Sequence, residues 1–177
     1  LYVPSHDLFI WIRKHSDIVI RVSVFKGKAG LAQRSWQSWD FTPTMLGLPS
    51  SYGFDSPKVS ATTSYLYLTS LLIQNGQSQT STIFRMPLSE LATQQGGSTL
   101  TLSWHHPPEA LPSYAIGNAV CNFPCRSAYF GQPTPPSSLR IWRWEDSTSS
   151  PTMKLVPVST FPDQYVNRGH CPSPDGN

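Results

Sequence analysis

Arg21, Arg85 and Arg143 recur about every 60 residues, each inside a run that alternates apolar and polar side chains. A guanidinium meets a carboxylate through two parallel hydrogen bonds, so arginines converging on one point are what recognition of an acidic ligand requires. A tyrosine nucleophile with a carboxylate partner beneath such arginines would extend that recognition to glycoside hydrolysis. The third run, S-S-L-R-I-W-R-W-E-D at 137–146, adds Arg140 and two large rings, Trp142 and Trp144. The candidate ligand-binding residues are therefore Arg85, Arg140, Arg143, Trp142 and Trp144. A plainer account stands beside this one. Arg143 neighbours Glu145 and Arg85 precedes Glu90, so surface ion pairs would explain both arginines.

The tryptophans also have two readings. On a strand, successive side chains point to opposite faces. Arg140, Trp142 and Trp144 then share one face, while Leu139, Ile141, Arg143 and Glu145 share the other. Each face carries apolar bulk and a long basic stem, the pattern of a sheet packed on both sides. That favours the two rings as core between neighbouring sheets over a platform for sugar. Trp36, Trp39, Trp104, Tyr52 and Tyr129 are further rings on which a sugar could stack.

Other chemistry is sparse. His105 and His106 are adjacent and would point apart on a strand, so they make a poor chelating pair. His6 and His170 stand alone. No calcium loop, phosphate loop or zinc-protease motif occurs, and neither a metal nor a cofactor is expected. The three cysteines are Cys121, Cys125 and Cys171. A small-loop Cys121–Cys125 disulfide is the expected pairing, with Cys171 free or bonded elsewhere, in a secreted or cell-surface setting that permits disulfides.

The elements that must position these residues are strands. The 177-residue chain has 17 prolines, 11 glycines, 12% aromatic and only 13% charged residues. So many prolines exclude long helices, and so many aromatics argue against disorder. The 13 basic residues against 10 acidic ones are scattered, which gives no support to a nucleic-acid partner. No apolar run reaches the length of a membrane-spanning helix, so no membrane insertion is expected. The chain opens on L-Y-V-P and stops at S-P-D-G-N, which reads as a fragment of a longer exported protein.

Period-2 alternation marks three successive sets of strands. The first holds the opening L-Y-V-P, then 7–13, with Phe9, Trp11 and Arg13 opposite Leu8, Ile10 and Ile12, then 17–26, a Gly-Lys-Ala-Gly turn, and W-Q-S-W-D-F. The second holds 58–62, 65–73, 82–86 and 98–104, with an Asn75-Gly76 turn and a helical turn at 87–92. The third holds 114–120, 127–131, 138–144 and 153–160. Four short strands per set predict an all-β chain of about three propeller blades, at 1–46, 57–104 and 112–161, within a single domain. Residues 162–177 would lead into a further blade. Three blades cannot close a ring, so further blades or another copy would be required. The alternative is a β-sandwich of about ten strands.

F-D-S-P-K-V-S-A-T-T-S-Y-L-Y-L-T-S-L-L, T-I-F-R-M-P-L-S-E-L-A, S-L-R-I-W-R-W-E-D and C-P-S-P-D-G-N, taken in that order, resemble motifs of secreted bacterial β-propeller repeat proteins. Most of those are uncharacterised and some are labelled sialidase-like. The likeness runs from about Leu8 to Asn177, outside 105–136, and W-D-F-T-P-T-M-L-G-L-P fits the family's linker between blades. The cysteine pair departs from the family pattern. The resemblance implies the fold and no particular reaction. The sialidase Asp-box is echoed only by S-W-Q-S-W-D, which lacks its glycine. The expected function is a non-catalytic extracellular module that binds a glycan or a protein. The alternatives are a sialidase-like hydrolase and a structural propeller within a larger surface protein.

Overall fold

The computed structural model describes residues 1–108, 110–111, 116–119, 124–134 and 137–157. Cys121, Cys171, His170 and the segment 162–177 fall outside these residues, as do Tyr114, Val120 and 158–160 at the ends of two expected strands.

Among the described residues, twelve strands form three four-stranded sheets, every one an antiparallel meander in chain order. Sheet 1 contains β1 (Tyr2–Val3), β2 (Leu8–Ser16), β3 (Val19–Lys26) and β4 (Trp36–Phe41). Sheet 2 contains β5 (Tyr52–Ala61), β6 (Tyr65–Gln74), β7 (Gln77–Pro87) and β8 (Ser103–His105). Sheet 3 contains β9 (Gly117–Ala119), β10 (Ser127–Thr134), β11 (Ser138–Glu145) and β12 (Thr152–Pro157). The described residues thus form three sheets rather than the two of a sandwich, and none of the three closes on itself. No helix among the described residues is long and apolar enough to cross a membrane.

The sheets are stacked, and the stacking follows from side-chain type. Leu8 and Ile10 on β2 and Ile20, Val22 and Val24 on β3 turn one aliphatic face of sheet 1 onto Phe54, Leu66, Leu68, Phe84 and Met86 of sheet 2. The opposite face of sheet 2 presents Tyr67 and Ile83 to Phe130, Trp142 and Trp144 of sheet 3. Sheet 2 is thus covered on both sides. That is why β6 reads as an almost unbroken apolar run, with every residue from Leu66 to Ser70 buried. Asn75 and Gly76, at φ 51° and 74°, make the two-residue turn that joins β6 to β7.

Three expectations are corrected. The Gly-Lys-Ala-Gly turn is the short helix α1 (Gly27–Ala32). The strand expected at 82–86 runs from Gln77 to Pro87, because its polar start pairs with the apolar end of β6. The alternation over 98–104 is strand only from Ser103 onward. Upstream, Gly96 and Gly97 donate to the Gln37 side chain and the Ser38 carbonyl of β4, and the Thr101 amide donates to the Glu90 carboxylate. Glu90 lies in the helix α2 (Leu88–Thr93), the helical turn expected at 87–92. With its donors taken this way, the segment lies across the edge of the first core, where Leu100 is buried and Trp104 is left largely exposed.

Candidate ligand groove on the first sheet

Sheet 1 buries its aliphatic face, so the alternate residues of its strands must point away from the stack. They fall into three cross-strand rungs. Tyr2, Phe9, Phe25 and Trp36 are directly opposite one another in turn, then Trp11, Ser23 and Ser38, then Arg13, Arg21 and Asp40. Side chains opposed in this way sit within about 5 Å of each other on one face. The sheet therefore grades from an aromatic rung, through a tryptophan beside two hydroxyls, to an ionic rung. Four residues of strand separate the first rung from the last, a span of about 13 Å.

Between the rungs lies a groove of about 300 Å³, lined by Trp11, Arg13, Arg21, Ser23, Phe25, Trp36 and Ser38. Trp11 is 67% exposed and Trp36 55%, unusual exposures for the largest apolar side chain. Phe25 holds Trp36 edge-on with ring centroids 5.8 Å apart, and Tyr2 stacks on Phe9 at 4.5 Å. The Ser23 and Ser38 hydroxyls share a hydrogen bond of 3.0 Å, which leaves further hydrogen-bonding capacity on the groove floor. At the ionic end Arg21 donates to both carboxylate oxygens of Asp40, at 2.6 and 2.7 Å. That fork holds the Asp40 carboxyl below the usual carboxylate range, with smaller help from the charges of His15 and Arg13. Two exposed rings over hydroxyls and a fixed ion pair can stack a pyranose ring and hydrogen-bond its hydroxyls.

Another depression, of about 400 Å³, is lined by Lys14, Asp17, Tyr52, Asp55 and Asn75 among others. Lys14 is already paired there with Asp17 at 2.9 Å and Asp55 at 3.7 Å, and no tryptophan reaches it.

The residues singled out from the sequence lie elsewhere. Arg21, Arg85 and Arg143 do occupy the third strand of their sheets, but Arg21 and Arg85 point in opposite directions along the stack. Arg85 is 4% exposed, at the junction of sheets 2 and 3. It donates to the Tyr67 hydroxyl at 3.2 Å and to the carbonyls of Glu145 at 3.0 Å and Thr148 at 2.5 Å. Its guanidinium lies 4.1 Å from the Tyr65 ring centroid and 4.7 Å from that of Trp144. No pairing with Glu90 exists, because the Glu90 carboxylate accepts from Thr101 instead. Arg143 is on the outer face of sheet 3, paired with Glu145 at 3.0 Å as its neighbourhood in the sequence implied. Arg140 is half-buried on the opposite face of the same strand, with its Nη1 enclosed and without a hydrogen bond. Trp142 and Trp144 are both 0% exposed and belong to the inter-sheet core, leaving no ring face open to a sugar. The structure thus joins Arg85 to Trp144 as packing and places Arg140 and Arg143 on opposite faces, away from any common ligand.

The Tyr67 hydroxyl also donates to Asp146 at 3.1 Å, and Thr62 donates to the same carboxylate oxygen at 2.7 Å. Tyrosine, arginine and carboxylate are the ingredients of a tyrosine-nucleophile glycosidase, but Tyr67 is fully buried and burial raises its pKa well above the ordinary value. Such a phenol stays protonated and out of a substrate's reach. His106 is tied to the Leu46 carbonyl at 2.9 Å. Cys125 is disulfide-bonded, while Cys121 and Cys171 both lie outside the described residues.

The groove was missed in the sequence although its strand faces were read correctly. Phe9, Trp11 and Arg13 were placed opposite Leu8, Ile10 and Ile12, and the signal lay in comparing the two faces. One is aliphatic from Leu8 to Ile12 and from Ile20 to Val24, as a core face should be, with Lys14 and Lys26 only at the strand ends. The other carries Phe9, Trp11 and Phe25 together with Arg13 and Arg21. Comparison with known protein families, with curated proteins and with solved structures finds no match to this chain.

Proposed function

We propose that the chain is a non-catalytic, exported binding module for a glycan, built of three consecutive propeller-type blades, with its ligand in the Trp11–Trp36 groove. The observation that carries this reading is the pair of exposed tryptophans that line one groove with two serine hydroxyls and the Arg21 of a fixed Arg21–Asp40 fork. The disulfide at Cys125 supports an oxidising, extracellular setting. The meander order of each sheet, and the burial of sheet 2 between its neighbours, support the blade reading.

Charge favours a ligand over a second copy as the occupant of this face. The far face of sheet 3, the surface a head-to-tail copy would bring, carries among the described residues of its strands Arg143 and Lys154 against one carboxylate, Glu145, which Arg143 already holds. Seating it on Arg13 and Arg21 would bury like charges together, which is costly. The hydrolase alternative gains nothing from the hydrogen-bonded Arg85–Tyr67–Asp146 cluster, since its tyrosine is sealed in a core.

The test is a glycan array of neutral and acidic oligosaccharides probed with the full chain and with Trp11→Ala and Trp36→Ala. Binding by the parent, with at least a tenfold loss in each variant at unchanged thermal stability, is the expected result. Stacking contributes on that order, about 1–2 kcal/mol per ring. No binding to any sugar, or binding indifferent to both substitutions, would overturn the reading.

A further inference from the structure

The ionic rung is unbalanced. Arg13 and Arg21 are direct cross-strand partners, an arrangement that destabilises a sheet unless something compensates it. Asp40 is the only carboxylate on the rung, and Arg21 takes both of its oxygens. Arg13 makes no hydrogen bond or ion pair with any described residue, although it lines the groove next to Trp11. His15 is near enough for its charge to act on Asp40 as well. One end of an aromatic groove therefore holds a fixed surplus of positive charge, with a free guanidinium fork one rung from an exposed indole.

Resting on the glycan reading above, we propose that the groove selects sugars bearing a carboxylate, with Arg13 pairing the carboxylate and Trp11 stacking on the ring that carries it. The geometry suits this division. Residues two apart on one strand lie about 7 Å apart on the same face, so a ring stacked on Trp11 brings a substituent to the Arg13 fork. Arg21 cannot take that role while Asp40 holds its Nε and Nη2. Asp40 in turn fixes Arg21 and repels an acid that misses the fork, which sets the register of the bound sugar. A neutral glycan would leave the surplus charge uncompensated.

The test uses matched ligands that differ only in charge. Tetragalacturonic acid and its fully methyl-esterified form are titrated into the full chain, with cellotetraose as a neutral sugar of equal length, at 20 mM and 300 mM NaCl. The acid is expected to bind at least tenfold more tightly than the ester, and the preference should shrink in high salt. Arg13→Gln should erase the preference without lowering the melting temperature, since it removes a like-charge contact, while Trp11→Ala weakens acid and ester alike. Equal binding of acid and ester would refute carboxylate selection and leave the glycan site standing. A preference that survives Arg13→Gln would refute the role of Arg13. Failure of all three sugars, and of every sugar on the array, would bring down the glycan reading and this inference with it.

Discussion

Arg85→Met would separate a structural arginine from a ligand-binding one. Methionine keeps much of the stem volume and loses the fork. Two main-chain carbonyls, of Glu145 and Thr148, and the Tyr67 hydroxyl would each lose the donor supplied by Arg85, itself only 4% exposed. The Glu145 carbonyl keeps the Thr148 amide and the Thr148 carbonyl keeps the Trp144 indole N–H, so neither is left without a donor. What is lost is hydrogen bonds from a charged donor, about 1.5–3 kcal/mol each, so the two to carbonyls alone amount to about 4. Release of the guanidinium from its own desolvation penalty offsets part of this, and a net loss of about 3 kcal/mol is expected. That is a large share of a total stability of about 5–15 kcal/mol. With a urea slope of about 2 kcal/mol per molar, the unfolding midpoint should fall by about 1.5 M. Equilibrium urea unfolding followed by tryptophan fluorescence reads this directly, because Trp144 lies against the guanidinium and donates its indole N–H to Thr148 at 3.2 Å. Arg85→Lys should recover little, since an ammonium cannot reproduce the fork that reaches three acceptors on two sheets. Glycan affinity at the groove should be unchanged, because Arg85 faces sheet 3 from the far side of sheet 2. A midpoint shift below about 0.5 M would show that the remaining donors suffice for those carbonyls and that Arg85 does not hold the junction. Loss of ligand binding by a folded Arg85→Met protein would return the arginine to the site.

Other perturbations test the remaining geometry. Burial raises the Tyr67 pKa, so above the ordinary tyrosine value near 10 the unfolded chain releases a proton that the folded chain keeps, and stability falls as pH rises. The parent should therefore lose stability more steeply than Tyr67→Phe between pH 9.5 and 11 (about the range of free tyrosine ionisation), and unfolding curves with parallel slopes would contradict the burial argument. At Gly53 a methyl group would sit 2.6 Å from the Asp17 carbonyl, the same carbonyl that accepts from the Phe54 amide and docks the β2–β3 turn onto sheet 2. Gly53→Ala should cost about 1–3 kcal/mol by forcing that turn away, and a neutral effect in thermal unfolding would mean the turn is free to yield.

Alternation along each strand is a local property, and it is legible where one face is apolar and the other is not. It separated Leu8 and Ile10 from Phe9 and Trp11, placed Trp142 and Trp144 on one face of β11, and set the three arginines on third strands. The Arg143–Glu145 pair was also readable, because residues two apart on a strand share a face. The run over 98–104 misled because Leu100, Leu102 and Trp104 alternate in sequence, while hydrogen bonds from Gly96, Gly97 and Thr101 to distant partners hold the chain off the sheet.

Which face meets which neighbour has no local signature. Arg85 and Arg21 look alike in sequence, each alternating with apolar residues on a third strand. One is sealed against two carbonyls and three aromatic rings of the Tyr65–Tyr67–Trp144 cluster, and the other is held open at the rim of a groove. Composition and alternation alone specify an all-β chain, strands in three sets of four, and the side chains that share a face. Only the stacking of the sheets decided that the Trp142–Trp144 face is core and the Trp11–Trp36 face is open, because burial depends on the sheet that arrives from elsewhere in the chain and not on the strand's own residues.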